Sequence, residues 1–320
     1  MIFPKIESGF NWDLVVGKGP EHLYTPSYYE VDMNDVQTRW DARTVTYPGA
    51  VQVTTFNPGQ ERALIYVTGW GVDATRNSAG KDVALIASAN PDFRVEVIDS
   101  SVGLTPEDMM RLRVKGWSTF ATRYLPAIED IPVGIPVSGA HGHSLGALVA
   151  LELAKSGALP NKPDVVTLHD MPKAQPDKNP WVFMFGVGIL DNAVKYPANA
   201  EQEAIAQLTV GAPNEGPVTA LKLAHEQWEL VKHMAEQGIE VDLHFATARN
   251  FFTKFLLFHG AYNRGIPDVH TMRMVHALRK RNGYAKKNLS YYVGDSGHYF
   301  AGQSARMARL IHFAQEQAAA

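Results

Sequence analysis

Gly142-His143-Ser144-Leu145-Gly146 sets one serine between two glycines, directly after an apolar run and directly before the helical run of residues 147–153. A serine hydroxyl is well presented as a nucleophile on a tight strand-to-helix turn, and such a turn needs neighbours without Cβ so that two backbones can approach. The helix N-terminus beyond it favours the negative charge that develops when the hydroxyl attacks a carbonyl. With 13 serines and 26 glycines in 320 residues, a chance GxSxG is expected roughly 0.1 times, so the match in this context is read as functional. The chain has no cysteine, which removes thiol nucleophiles, disulfides and thiolate metal sites. HExxH, a P-loop and a GxGxxG between strand and helix are all missing, so zinc protease, nucleotide hydrolase and dinucleotide oxidoreductase lack their minimum parts. No cofactor and no metal are expected.

The elements around that serine follow from periodicity. With 45% hydrophobic and 20% charged residues, the chain is of globular class and long enough to bury a full core. Strands are expected at 28–32, 44–47, 51–56 and 64–67, antiparallel and separated by Tyr47-Pro48-Gly49 and Asn57-Pro58-Gly59. Strand and helix patterns then alternate: helix 83–88, strand 94–99, helix 106–125, strand 135–140, helix 147–155 and strand 165–169. Such alternation implies βαβ crossovers and a mostly parallel sheet covered on both faces. Residues 171–238 break the rhythm with an apolar block that includes Trp181 and Phe183, then an amphipathic helix through Trp228 and Met234. An insertion at 171–238 therefore divides a core of residues 1–170 and 239–320. A strand at 241–245, an apolar stretch at 255–258, a helix at 269–279, a strand at 289–293 and a last helix through Met307 and Leu310 complete the core.

The net charge of −3, from 30 basic and 33 acidic residues without a long run of either sign, gives no field to recruit nucleic acid or an anionic membrane. Neither a signal-peptide pattern nor a transmembrane stretch is legible, so the expected location is cytoplasmic, or released without a signal peptide.

The elbow at Ser144 in this alternation resembles the α/β-hydrolase superfamily, serine hydrolases of esterase and lipase type, from about Tyr28 to Leu310, with the insertion in the place of that family's cap. The resemblance implies an α/β-hydrolase fold: a mostly parallel, doubly wound sheet with antiparallel N-terminal strands and a helical cap insertion. It also implies a base after the last strand, where Gly294-Asp295-Ser296-Gly297-His298 stands, and so His298. His141 and His143 are read as packing or pocket lining. The oxyanion donors implied are the N–H of Leu145 and, from Val67-Thr68-Gly69-Trp70-Gly71, that of Trp70, with Gly71 next. The family often has His-Gly where this chain has Thr68-Gly69.

The triad acid is where the chain departs from the family. Its usual Gly-x-x-Asp place reads Gly260-Ala261-Tyr262-Asn263, and the other candidate strand ends in Asn250. An amide can orient an imidazole but cannot stabilise the imidazolium. Some members place the acid after the strand that follows the nucleophile helix, and Asp170 stands there. Asp268 is the alternative, with helix N-capping as its competing reading, and Asp295 and Asp73 follow. The resemblance thus implies a serine esterase acting on a small-molecule ester or lipid through Ser144, His298 and Asp170 and an acyl-enzyme. Trp181 and Phe183, with Phe251, Phe252, Leu256 and Leu257, would line a lipophilic pocket or simply pack a core. The alternatives are a non-catalytic binding protein that kept the elbow, or an acyltransferase or C–C hydrolase using the same residues.

Overall fold

A computed structural model describes residues 42–70, 86–87, 89–100, 103–172, 179–181, 222, 225–236, 239–260, 268–294 and 304–319. The strands 28–32, much of the helix at 83–88 and most of the insertion at 171–238 lie outside the described residues. In chain order the elements are β1 (Arg43–Tyr47), β2 (Val51–Phe56), β3 (Ala63–Val67), β4 (Arg94–Ile98), α1 (Pro106–Lys115), α2 (Trp117–Ala121), α3 (Leu125–Glu129), β5 (Val137–His143), α4 (Leu145–Ser156) and β6 (Val165–His169). After them come α5 (Trp228–Glu236), α6 (Glu240–Arg249), β7 (Lys254–Gly260), α7 (Asp268–Arg281), α8 (Gly283–Asn288), β8 (Leu289–Gly294) and α9 (Ser304–Ala319). A 3-10 turn, Thr122–Tyr124, joins α2 to α3.

The strands form one eight-stranded sheet in the order β1-β2-β4-β3-β5-β6-β7-β8. β1, β2 and β4 pair antiparallel, and every pairing from β4 onward across the sheet is parallel. Both faces are buried, as parallel sheets require. Alternate residues therefore serve opposite cores: Ile65, Val67, Val166, Leu168, Phe255 and Leu257 pack with α4 and its neighbours, while Leu64, Tyr66, Val97, Leu256 and Phe258 pack with Leu310, Ile311 and Ala314 of α9. α5, near the end of the expected insertion, contributes Leu230, Val231, Met234 and Ala235 to the first of these cores and lies against α1.

Three expectations are corrected. Residues 64–67 were expected to join the antiparallel strands, but β3 runs parallel to both β4 and β5. The short turn between β2 and β3 suggests a hairpin; instead β4 inserts between them and takes the antiparallel pairing to β2. Residues 241–245 form part of helix α6 rather than a strand. The reason is the period: Leu243, Ala246 and Thr247 are buried, whereas Val241 and Phe245 face solvent. Asn250 accordingly ends no strand; it caps α6, donating from Nδ2 to the carbonyls of Ala154 at 2.9 Å and Ala246 at 3.0 Å. The single helix expected at 106–125 is divided at Gly116, whose φ of 80° no helix accommodates. α1 itself opens on a capping box, in which the Asp108 N–H donates to Thr105 Oγ1 at 3.2 Å and the Thr105 N–H donates to Asp108 Oδ2 at 3.0 Å. Among the described residues no helix is long and apolar enough to cross a membrane.

Candidate active site

β5 ends inside the motif, at His143, and α4 begins at Leu145, so Ser144 is the whole connection. Its backbone lies at φ 53° and ψ −119°, a conformation that costs a non-glycine residue about 1–3 kcal/mol and persists only where its surroundings impose it. Those surroundings are on hand. The Ser144 N–H donates to the carbonyl of His169 at the end of β6, 2.8 Å away, and its own carbonyl accepts from Ala147 at 3.0 Å. The flanking glycines make the turn possible: a Cβ on Gly142 would lie 2.2 Å from the Gly146 carbonyl oxygen, and one on Gly146 would lie 2.1 Å from that of Val67 and 2.4 Å from that of Thr68. The start of α4 is thus pressed directly onto the loop that follows β3.

That loop is the segment expected to supply Trp70 as a donor. The Thr68 N–H donates to the carbonyl of Ile98 at 3.0 Å, the Ser100 N–H donates to Thr68 Oγ1 at 3.2 Å, and Ser100 Oγ donates to the Gly69 carbonyl at 3.2 Å. Tyr124 Oη donates in turn to the Ser100 carbonyl at 2.5 Å; burial pushes its phenol up to about 12, so it remains a donor. Trp70 is half-buried, with its indole N–H donating to Gln227 Oε1 at 2.6 Å. Leu145, the other expected donor residue, is the first residue of α4 and fully buried.

Asp170 stands directly after β6, fully buried, with φ 43° and its N–H donating to the Phe258 carbonyl at 2.9 Å. Its carboxylate lies between two imidazoles: Oδ2 is 3.6 Å from His169 Nδ1, and Oδ1 is 3.4 Å from His259 Nδ1. His143, His169 and Asp170 each offer a ligand atom, and these atoms lie within 4.8 Å of one another in a buried group of the kind that can hold a metal ion. The sequence reading missed His169 and His259. The available signal was their position at the carboxyl ends of adjacent parallel strands, which is where ligands meet such sheets.

His141 is buried and neutral, as its reading as a packing residue supposes. Burial lowers it to about 3, and its ring nitrogens meet Thr167 Oγ1 at 2.8 Å and Gln315 Nε2 at 3.1 Å. Trp181 is 64% exposed, with its ring 4.5 Å from that of Trp228. Phe251 and Phe252 are also exposed, at the opposite, amino-terminal end of β7, whereas Leu256 and Leu257 are core residues. Asp268 opens α7. His298, Phe183, Gly71, Asn263, Asp295 and Asp73 lie outside the described residues.

No protein-family model matches the chain, and no curated protein matches it in sequence. Its structure is similar to that of a putative lipase from Acinetobacter baumannii, with a TM-score of 0.56 at 12% identity over 91% of this chain and 97% of the other. It is also similar to a serine hydrolase involved in carbazole degradation, at 0.55 and 12% over 87% of this chain and 99% of that one. An esterase from Thermogutta terrifontis matches at 0.51 and 17%, over 87% and 98% respectively. At these identities the likeness concerns the fold, and the chain has the α/β-hydrolase fold.

Proposed function

We propose that this chain is a serine hydrolase that cleaves a carboxylic ester of a lipophilic acyl group through an acyl-enzyme. The observation that carries the reading is the backbone of Ser144: a strained, imposed conformation at the carboxyl end of β5, with glycines where the close approach demands them. Strain of that size is retained where it presents a group for reaction. The solved structures with which the chain shares its fold are titled esterase, lipase and serine hydrolase, which favours the same class.

In the proposed cycle Ser144 Oγ attacks the ester carbonyl while His298 takes the hydroxyl proton. The N–H groups of Leu145 and Trp70 receive the oxyanion, one from the helix start and one from the braced loop pressed against it. Collapse expels the alcohol, which takes the proton from His298, and water repeats the sequence in reverse to free the acid and the serine. Asp170 is the acid that orients and charges the imidazole. Two strand spacings, about 10 Å, separate β6 from β8, and the short stretch from Gly294 to His298 can span that distance. The insertion at 171–238 serves as a cap on the core of residues 1–170 and 239–320, and a small-molecule ester or lipid is the partner.

A fluorophosphonate probe tests the nucleophile. Adduct on Ser144, and loss of p-nitrophenyl ester cleavage in Ser144→Ala, are expected; an unlabelled protein, or an unchanged rate in the variant, refutes the proposal. For the acid, Asp170→Asn is expected to lower kcat by about 10,000-fold, the scale known for a triad acid made into an amide, while Asp268→Asn leaves it near wild type. The reverse ranking overturns the choice of Asp170.

A further inference from the structure

Beyond any hydrolytic role, we infer that His143, His169 and Asp170 form a buried binding site for one divalent transition ion of the zinc class. The three come from two stretches of chain: His143 ends β5, and His169 ends β6 with Asp170 directly after it. All three are buried, His143 at 8% exposure, His169 at 1% and Asp170 at 0%. Two imidazoles and one carboxylate make the donor set that zinc favours when three protein ligands leave a fourth position for water or another small group.

The spacing is close to what such an ion needs. Ligand bonds of about 2.0–2.1 Å in tetrahedral geometry place donor atoms roughly 3.3 Å apart. Asp170 Oδ2 and His169 Nδ1 are 3.6 Å apart, and the full set of donor atoms lies within 4.8 Å. Closing the set therefore needs an approach of about 0.3 Å for that pair and at most about 1.5 Å for any other, within reach of side-chain rotation. The surroundings also hold the donors in place. Gly69 leaves room for the His143 ring, since a Cβ there would lie 2.9 Å from Nδ1. His169 stacks on Phe258, with centroids 6.1 Å apart. His259 Nδ1, 3.4 Å from Asp170 Oδ1, supports the carboxylate from the side away from His169, the role of an outer group that orients a ligand. A hard ion such as magnesium is disfavoured by the two imidazoles, and no thiolate is present to select copper(I).

The test uses the full chain stripped with chelator, then titrated with zinc chloride in competition with a chromophoric chelator. One equivalent is expected to bind. His143→Gln and His169→Gln, made separately, are each expected to weaken binding at least tenfold, while Ser144→Ala keeps the wild-type affinity, so the ion site and the nucleophile fail independently. Cobalt(II) supplies a readout that needs no variant: a four-coordinate site gives strong visible d–d absorption, whereas the pale spectrum of the hydrated ion means that the site does not form. Zinc left wholly with the competitor, the hydrated cobalt spectrum, or wild-type affinity in both histidine variants overturns the inference.

Discussion

Gly146→Ala is the most demanding perturbation of the elbow, because the change is a single methyl group and its consequence is geometric. The new Cβ would sit 2.1 Å from the Val67 carbonyl oxygen, where ordinary contact begins at 3.4 Å. One backbone must retreat from the other by about 1.3 Å, and neither partner is a flexible side chain. Alanine is the better helix former by about 1 kcal/mol, which partly offsets the overpacking cost of about 1–3 kcal/mol. The net loss of stability is therefore modest, at most about 2 kcal/mol. The effect on reactivity is larger. A retreat of about 1 Å carries the start of α4, and with it Leu145 and the Ser144 turn, away from the β3 loop, and misplacement on that scale costs on the order of 100-fold in rate. The assay pairs urea unfolding with the second-order rate of fluorophosphonate labelling at Ser144. Gly283→Ala, at a glycine with open space around it, is the control and is expected to keep both at wild type. Wild-type labelling by Gly146→Ala would refute the argument that this contact sets the elbow.

Other outcomes follow from the same geometry. Ser144→Gly should abolish labelling yet raise unfolding stability by about 1 kcal/mol, because glycine adopts φ 53° without strain; a less stable variant in urea unfolding would contradict the strain. His141, lowered to about 3 by burial, stays neutral in the folded chain while the unfolded chain takes up its proton near 6.5. Its contribution is fully present above pH 6.5 and is lost as the pH falls toward 3, about 2 kcal/mol by pH 5. Urea curves at pH 7 and pH 5 should show that loss in the wild type and a smaller one in His141→Gln. Gln227→Ala removes the acceptor of the Trp70 indole and should lower kcat/KM for an ester about fivefold, the worth of about 1 kcal/mol, with Ser144 still labelled. Because the proposed ion site and the proposed triad both draw on Asp170, zinc is expected to suppress ester cleavage and chelator to restore it, measured as the rate before and after chelation; a rate that zinc leaves unchanged would separate the two roles.

The sequence by itself determined the parts of this protein that depend on neighbours along the chain. Gly142, Ser144 and Gly146 announce a turn between an apolar strand and a helix, because the need for missing Cβ atoms is local. β6 was legible to the residue, and with it the place of Asp170, because an apolar run bounded by turns is enough to mark a buried strand. Periodicity fails where two periods compete over a few residues, as at 241–245, where only the burial of Leu243, Ala246 and Thr247 shows the helix. Tertiary structure alone decided which strands are neighbours. β4 enters between β2 and β3 because pairing is a matter of hydrogen bonds across space, which a short connecting turn does not dictate. It also decided the company that Asp170 keeps. His143 and His169 end two adjacent parallel strands and His259 is the penultimate residue of the next, and their meeting around one carboxylate depends on register, on sheet twist, and on burial that brings their polar atoms within a few ångströms.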